Sequence, residues 1–126
     1  MSDLIKKSNK DFGNKGEQIA KKYLLEKGLK LIESNFRYQR KEIDLIFTDN
    51  KKKILIFVEV KTRKTKTYGE PEESINFYKQ KNIKIAAQGF LNKHHDYQNC
   101  DIRFDVLSVF FEKDNIIFNH IENAFY

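Results

Sequence analysis

The sequence predicts an α/β domain with a mixed central sheet, its elements in the order αβββαββ. Three features predict it: a stretch of helical period near the N-terminus, three apolar strand-like runs after it, and a long helical segment separating those runs from two closing strands. At 126 residues the chain is the size of one ordinary domain.

Residues 1–12 are polar and lysine-rich without a period, so they read as a flexible N-terminal tail ahead of one domain over 13–126. Over 14–28, Ile19, Ala20, Tyr23 and Leu24 recur at helical spacing, and Gly28 stands where helices commonly end. The stretches 29–37, 43–47 and 54–61 read as strands, able to form an antiparallel meander with 48–53 joining the last two. A charged loop, 62–71, precedes a second helix over 72–93, where Ile75, Ile83, Ala86, Ala87 and Leu91 suit packing on a sheet. Strands at 102–111 and 116–121 close the pattern, with Phe110, Phe111 and Phe118 as core residues.

Composition excludes some classes. The single cysteine, Cys100, forms no internal bridge, which suits a reducing cytoplasm. The apolar run 54–60 is far too short to span a bilayer, and the N-terminal stretch lacks the apolar core of a signal peptide, so the expectation is a soluble, cytoplasmic protein with no membrane partner. The net charge of +6 favours a polyanionic partner such as nucleic acid, although a lysine bias also follows from AT-rich coding.

The third strand carries the chemistry. Ile54, Ile56, Val58 and Val60 line one face, while Leu55 and Phe57 begin the other and Glu59 and Lys61 continue it. Pairing it with the second strand so that Ile43, Leu45 and Phe47 oppose Val60, Val58 and Ile56 makes one face wholly apolar. The same register opposes Ile46 to Phe57, Asp44 to Glu59 and Glu42 to Lys61. Directly opposed residues have Cβ atoms about 4.5–5.5 Å apart, so two carboxylates there need a positive charge between them. Mg²⁺, which characteristically takes one or two carboxylates plus waters and phosphate oxygens, fits that need. Lys61 is then placed to contact an attacking water or a phosphate oxygen. The plainer reading is an exposed, charged hairpin face needing no metal, against which Leu55 and Phe57 count.

Asp44, fourteen intervening residues and then Glu59-Val60-Lys61 resembles the P-D-(D/E)-x-K signature of restriction-endonuclease-like nucleases. More of the chain resembles the bacterial YraN family, itself similar in core motifs to Holliday-junction resolvases. The matching pieces are Gly13-Asn14-Lys15-Gly16-Glu17, Asn35-Phe36-Arg37, Glu42-Ile43-Asp44-Leu45-Ile46, Phe57-Val58-Glu59-Val60-Lys61-Thr62-Arg63, Tyr68-Gly69-Glu70-Pro71 with Lys79, and Arg103-Phe104-Asp105. The family usually has glycine before its Glu-Ile-Asp, where this chain has Lys41. The resemblance implies a restriction-endonuclease-like core, its mixed sheet flanked by helices, and a nuclease-like domain over 13–126.

Glu17 lies on the helical stripe of Ala20 and Leu24, where it either completes a capping box with Asn14 or reaches a metal through water; by resemblance it matches the acidic residue that resolvase-like nucleases carry on their first helix. Arg63, Lys64 and Lys66 with Tyr68 form a basic loop suited to phosphates and base stacking, or simply a solvated loop, and Lys79 is a further phosphate candidate. Arg103 and Asp105 share a strand face and read as a structural ion pair. His94, His95 and Cys100 fit no compact zinc pattern.

These readings converge on phosphodiester hydrolysis in DNA, including branched, recombination or repair intermediates. Asp44, Glu59, Glu17 and the Val60 carbonyl would bind Mg²⁺ or Mn²⁺, and Lys61 would orient water. The rival classes are a nucleic-acid-binding module without turnover and a protein-interaction domain. Junction resolution would need two active sites, and therefore a homodimer.

Overall fold

The structure, a computed structural model, describes residues 2–64 and 75–126, with side chains from residue 11 onward. Helix α1 (Ser2–Glu26) leads into strands β1 (Lys30–Tyr38), β2 (Lys41–Asp49) and β3 (Ile54–Arg63). Helix α2 (Phe77–Lys93) and a single 3₁₀ turn (His95–Tyr97) precede β4 (Asp101–Glu112) and β5 (Asn115–Phe125). The five strands form one mixed sheet in the order β1-β2-β3-β4-β5. Neighbours run antiparallel except β3 and β4, which are parallel because the chain crosses over through α2 between them. The mixed α/β order αβββαββ and the antiparallel meander read from the sequence therefore stand.

The period of two along β3 divides the core between two faces. Leu55 and Phe57 pack with Ile83, Ala86, Ala87 and Phe90 of α2, while Ile56 and Val58 pack with Ala20 and Leu24 of α1. Each helix thus covers one face, as the doubly apolar start of β3 requires. The closing strands add Val106 to the α2 face and Leu107 and Val109 to the α1 face. Of the aromatic core candidates, Phe110 is buried, whereas Phe111 and Phe118 are half-buried beneath α1.

Helix α1 starts twelve residues ahead of the predicted Asn14, so the stretch 2–12 read as a tail is helical. The tertiary anchor is Phe12, whose ring lies 5.1 Å from that of Phe111 on β4. Helix α2 begins at Phe77, with the Asn76 side chain accepting the Lys79 N–H at 2.8 Å as its cap.

The β2–β3 register is the one alternation dictates, with Leu45 opposite Val58, Ile46 opposite Phe57 and Phe47 opposite Ile56. The ladder ends at Leu45 and Val58, however, so the expected pairs of Ile43 with Val60, Asp44 with Glu59 and Glu42 with Lys61 do not form as ladder pairs. An irregularity on the neighbouring β1 accompanies the break. Asn35 adopts a left-handed φ of 53°, Phe36 and Ile43 join the α2 face, and Leu45 stays on the α1 face. The pleat therefore breaks at Asp44, and β2 parts from β3 beyond Leu45. The bend into β2 needs no glycine at Lys41, because Gln39 and Arg40 take the left-handed φ values, 48° and 65°, of a two-residue hairpin turn.

Candidate functional site

Where β2 parts from β3, the freed main chain is captured by a side chain. The Val60 N–H donates to Asp44 Oδ2 at 2.8 Å, a place that a β2 carbonyl would fill in a continuing ladder. Glu59, the residue before, has only 13 % of its side chain exposed, and Lys79 Nζ lies 3.3 Å from its Oε1. The Asp44 and Glu59 side chains are also hydrogen-bonded to each other. Two carboxylates predicted to meet across the hairpin thus do meet, through a break in the strand and not across a regular pair.

The electrostatics follow from that crowding. Burial and then the Asp44 charge push Glu59 up to about 7, and the nearby Lys79 offsets only part of this. Asp44 is raised by burial as well, against the Val60 N–H and Lys79, which favour its charged form. Glu17 on α1 is raised by burial and by Asp44, with a hydrogen bond to Asn35 acting in the opposite sense. Three acidic residues of the sequence reading therefore interact, from two strands and a helix.

A cleft of about 520 Å³ opens beside them, walled by Phe12, Gly13, Asn14 and Glu17 of α1, Asn35 of β1, Glu42 and Asp44 of β2, and Val60 and Thr62 of β3. Asn14 lies inside α1, so it cannot cap that helix, and the capping-box alternative for Glu17 is excluded. Helix α1 lies so close to β3 that a Cβ at Gly16 would overlap the Thr62 side chain. Among the described residues no group of three His, Cys, Asp or Glu side chains forms a metal cluster, so a cation here would draw on fewer carboxylates together with main-chain oxygen and solvent.

The remaining candidates distribute unevenly. Lys61 sits two residues beyond Glu59, half-buried and in register with Ser108 of β4, but does not line the cleft. Arg63 and Lys64 are exposed, and Lys64 Nζ lies 5.7 Å over the ring of Phe12 at the cleft wall. Lys66 and Tyr68 lie outside the described residues. Lys79, a secondary candidate by sequence, is brought directly to Glu59. His94 stacks on Phe90 and His95 Nε2 meets the Asn92 carbonyl, so neither converges with Cys100 on a metal.

Arg103 and Asp105 form the predicted ion pair in bidentate geometry, both contacts 2.9 Å. Sequence reasoning missed His120, whose Nε2 lies 2.8 Å from Asp105 Oδ2 while Nδ1 meets Lys27 Nζ at 3.2 Å. Only the β4–β5 pairing brings His120 beside Asp105, and no local spacing announces it. The Asn123 N–H also donates to Asp105 Oδ1, at 3.0 Å.

Fold and site together define an α/β domain, with two α-helices and five strands among the described residues and a carboxylate-lined cleft where its central hairpin opens. The chain belongs to the UPF0102 family, the one resembled in its motifs under the name YraN. The family model described as "Uncharacterised protein family UPF0102" matches residues 16–109. The UPF0102 protein of Clostridium beijerinckii is 42 % identical over 123 residues, covering 96 % of this chain and 98 % of that protein. The UPF0102 protein of Desulforamulus reducens is 38 % identical over 117 residues, 91 % of this chain and 95 % of that protein. That of Geobacter metallireducens is 41 % identical over 117 residues, 93 % of each chain.

Proposed function

We propose that this protein is a metal-dependent endonuclease with a restriction-endonuclease-like core, hydrolysing phosphodiester bonds in DNA with Mg²⁺ or Mn²⁺. The observation that carries the reading is the Asp44–Glu59 contact, two largely buried carboxylates facing each other with Lys79 beside them. A divalent cation fits this donor set. It would offset the burial that raises both groups and the Asp44 charge that raises Glu59 further, and a Mg²⁺ site needs only one or two carboxylates because water and phosphate oxygens complete its shell.

In this reading Asp44, Glu59 and the Val60 carbonyl hold the cation, which when bound supplies positive charge to the scissile phosphate and acidifies water. The other steps fall to the chain itself. Asp44, anchored by the Val60 N–H, stays at the cleft wall beside Glu59. Glu17 holds a water at the outer edge of the site, oriented through Asn35. Lys61 positions the attacking water, while Arg63 and Lys64 hold phosphates flanking the cut.

The test is cleavage of labelled duplex, single-stranded, flap and four-way-junction DNA with Mg²⁺ or Mn²⁺. Asp44→Ala and Lys61→Ala should each lower the rate by roughly 10²-fold or more while the far-ultraviolet circular dichroism is unchanged. An active Asp44→Ala protein would overturn the mechanism. The Lys79–Glu59 ion pair favours a second reading, a nucleic-acid-binding module that satisfies its carboxylates without metal. Salt-sensitive binding by native and variant proteins alike, with no products, would select it.

A further inference from the structure

We infer that the start of α2 is a stacking platform for unpaired bases, which makes single-stranded or frayed nucleic acid, not continuous duplex, the preferred substrate of this site. The inference rests on the nuclease reading for the word substrate, and on the following geometry for the platform. Phe77 and Tyr78 are adjacent and leave 80 % and 74 % of their surfaces exposed. Single exposed apolar residues are ordinary, but two neighbouring aromatic rings at a helix start are an unusual amount of apolar surface to leave in water. Their backbone is held, because the Asn76 cap fixes the first turn. The next residue is Lys79, whose Nζ lies 3.3 Å from Glu59 Oε1, so the first turn of the helix that carries the rings also reaches the candidate active site, while the rings themselves point to its other faces.

The charge around them selects the occupant. Helix α2 carries four lysines and no acidic residue. From Phe77 an apolar cleft of about 420 Å³ runs along its outer face past Lys81 and Lys84. Rings framed by lysines match a polyanion that also presents flat apolar faces. An unpaired strand does so, its phosphates meeting the lysines while its bases stack on the rings. A duplex keeps its bases stacked inside and could use only the lysines.

The test is fluorescence anisotropy with a labelled oligothymidine and a blunt duplex of the same length, in EDTA so that nothing is cut. Native protein should bind the single strand more tightly. Phe77→Ala/Tyr78→Ala should weaken single-strand binding roughly 5- to 150-fold and duplex binding less than twofold. Tyr78→Phe, which keeps the ring, should bind as the native protein does, and a native-like melting curve for each variant excludes unfolding. Equal loss on both nucleic acids, or no loss on either, would overturn the platform. So would a dimer that the double substitution dissociates without changing oligonucleotide affinity, since the face would then belong to a second copy. The two readings fail separately: a single-strand preference abolished by the double substitution, without metal-dependent products, leaves the platform and removes the nuclease, whereas cutting unaffected by it does the reverse.

Discussion

Asp105 on β4 and the Asp44–Glu59 pair on β2 and β3 occupy one sheet, and their surroundings push them in opposite directions. Burial alone would raise Asp105, which is 1 % exposed, yet hydrogen bonds from His120, Arg103 and the Asn123 N–H hold it below the usual carboxylate range. Burial raises Asp44 and Glu59, and the Val60 N–H and Lys79 beside them among the described residues offset only part of it. A buried carboxylate whose own chain supplies every partner is a structural element. A buried pair that meets little positive charge among the described residues is where the proposed cation would find its place.

The sharpest way to break this comparison is substitution. Asp105→Ala strands Arg103 and His120 and should cost about 3–5 kcal/mol in urea unfolding, the usual penalty for removing half of a buried ion pair. Asp44→Asn should cost less than about 1 kcal/mol at pH 8, since it removes a charge the fold opposes. Equal costs would dissolve the distinction.

Acidity separates the sites next. Glu59, raised from 4.5 to about 7, binds its proton more tightly folded than unfolded, so that stabilisation is complete below about 4.5 and is lost as pH rises through 7. Asp105, lowered from 3.8, does the opposite, stabilising above that value and losing its contribution as pH falls below it. Between pH 5 and pH 8 the native protein should therefore lose stability, by roughly 3 kcal/mol at most, and Glu59→Gln should flatten the profile. A flat native profile would contradict the crowding of the pair.

At pH 8, Mg²⁺ at a hundredfold excess over its dissociation constant should return about 2–3 kcal/mol, read as a rise in Tm that Glu59→Gln lacks. The smallest effect concerns the turn leading into β2. Replacing Gln39-Arg40 with Asn-Gly should stabilise by about 0.5–1 kcal/mol by suiting the left-handed backbone, and should leave the cleft's response to Mg²⁺ unchanged.

The sequence made the hairpin legible because alternation fixes register. Leu45, Ile46 and Phe47 face their expected partners on β3. It did not reveal the break at Asp44, because Asn35 and Ile43 look like regular strand residues, and neither the left-handed φ of Asn35 nor the place of Ile43 on the α2 face shows in the alternation. Arg103 and Asp105 could be paired from their spacing, being two apart on one strand. His120 could not, since it reaches Asp105 from fifteen residues away through the β4–β5 pairing. Lys79 was underrated because helix α2 reads as a generic basic helix until its start is placed against Glu59.

Gly16 gives the acidic cleft a fixed width. With no side chain of its own at Gly16, α1 rests on the Thr62 side chain of β3, and Glu17 follows at the next position. The close approach of Gly16 to the Thr62 side chain thus acts as a mechanical stop that sets how near a third acid may come to the first two. A methyl group added there would work as a wedge, prying the helix and its acid away from Asn35 and Asp44 without altering one charge.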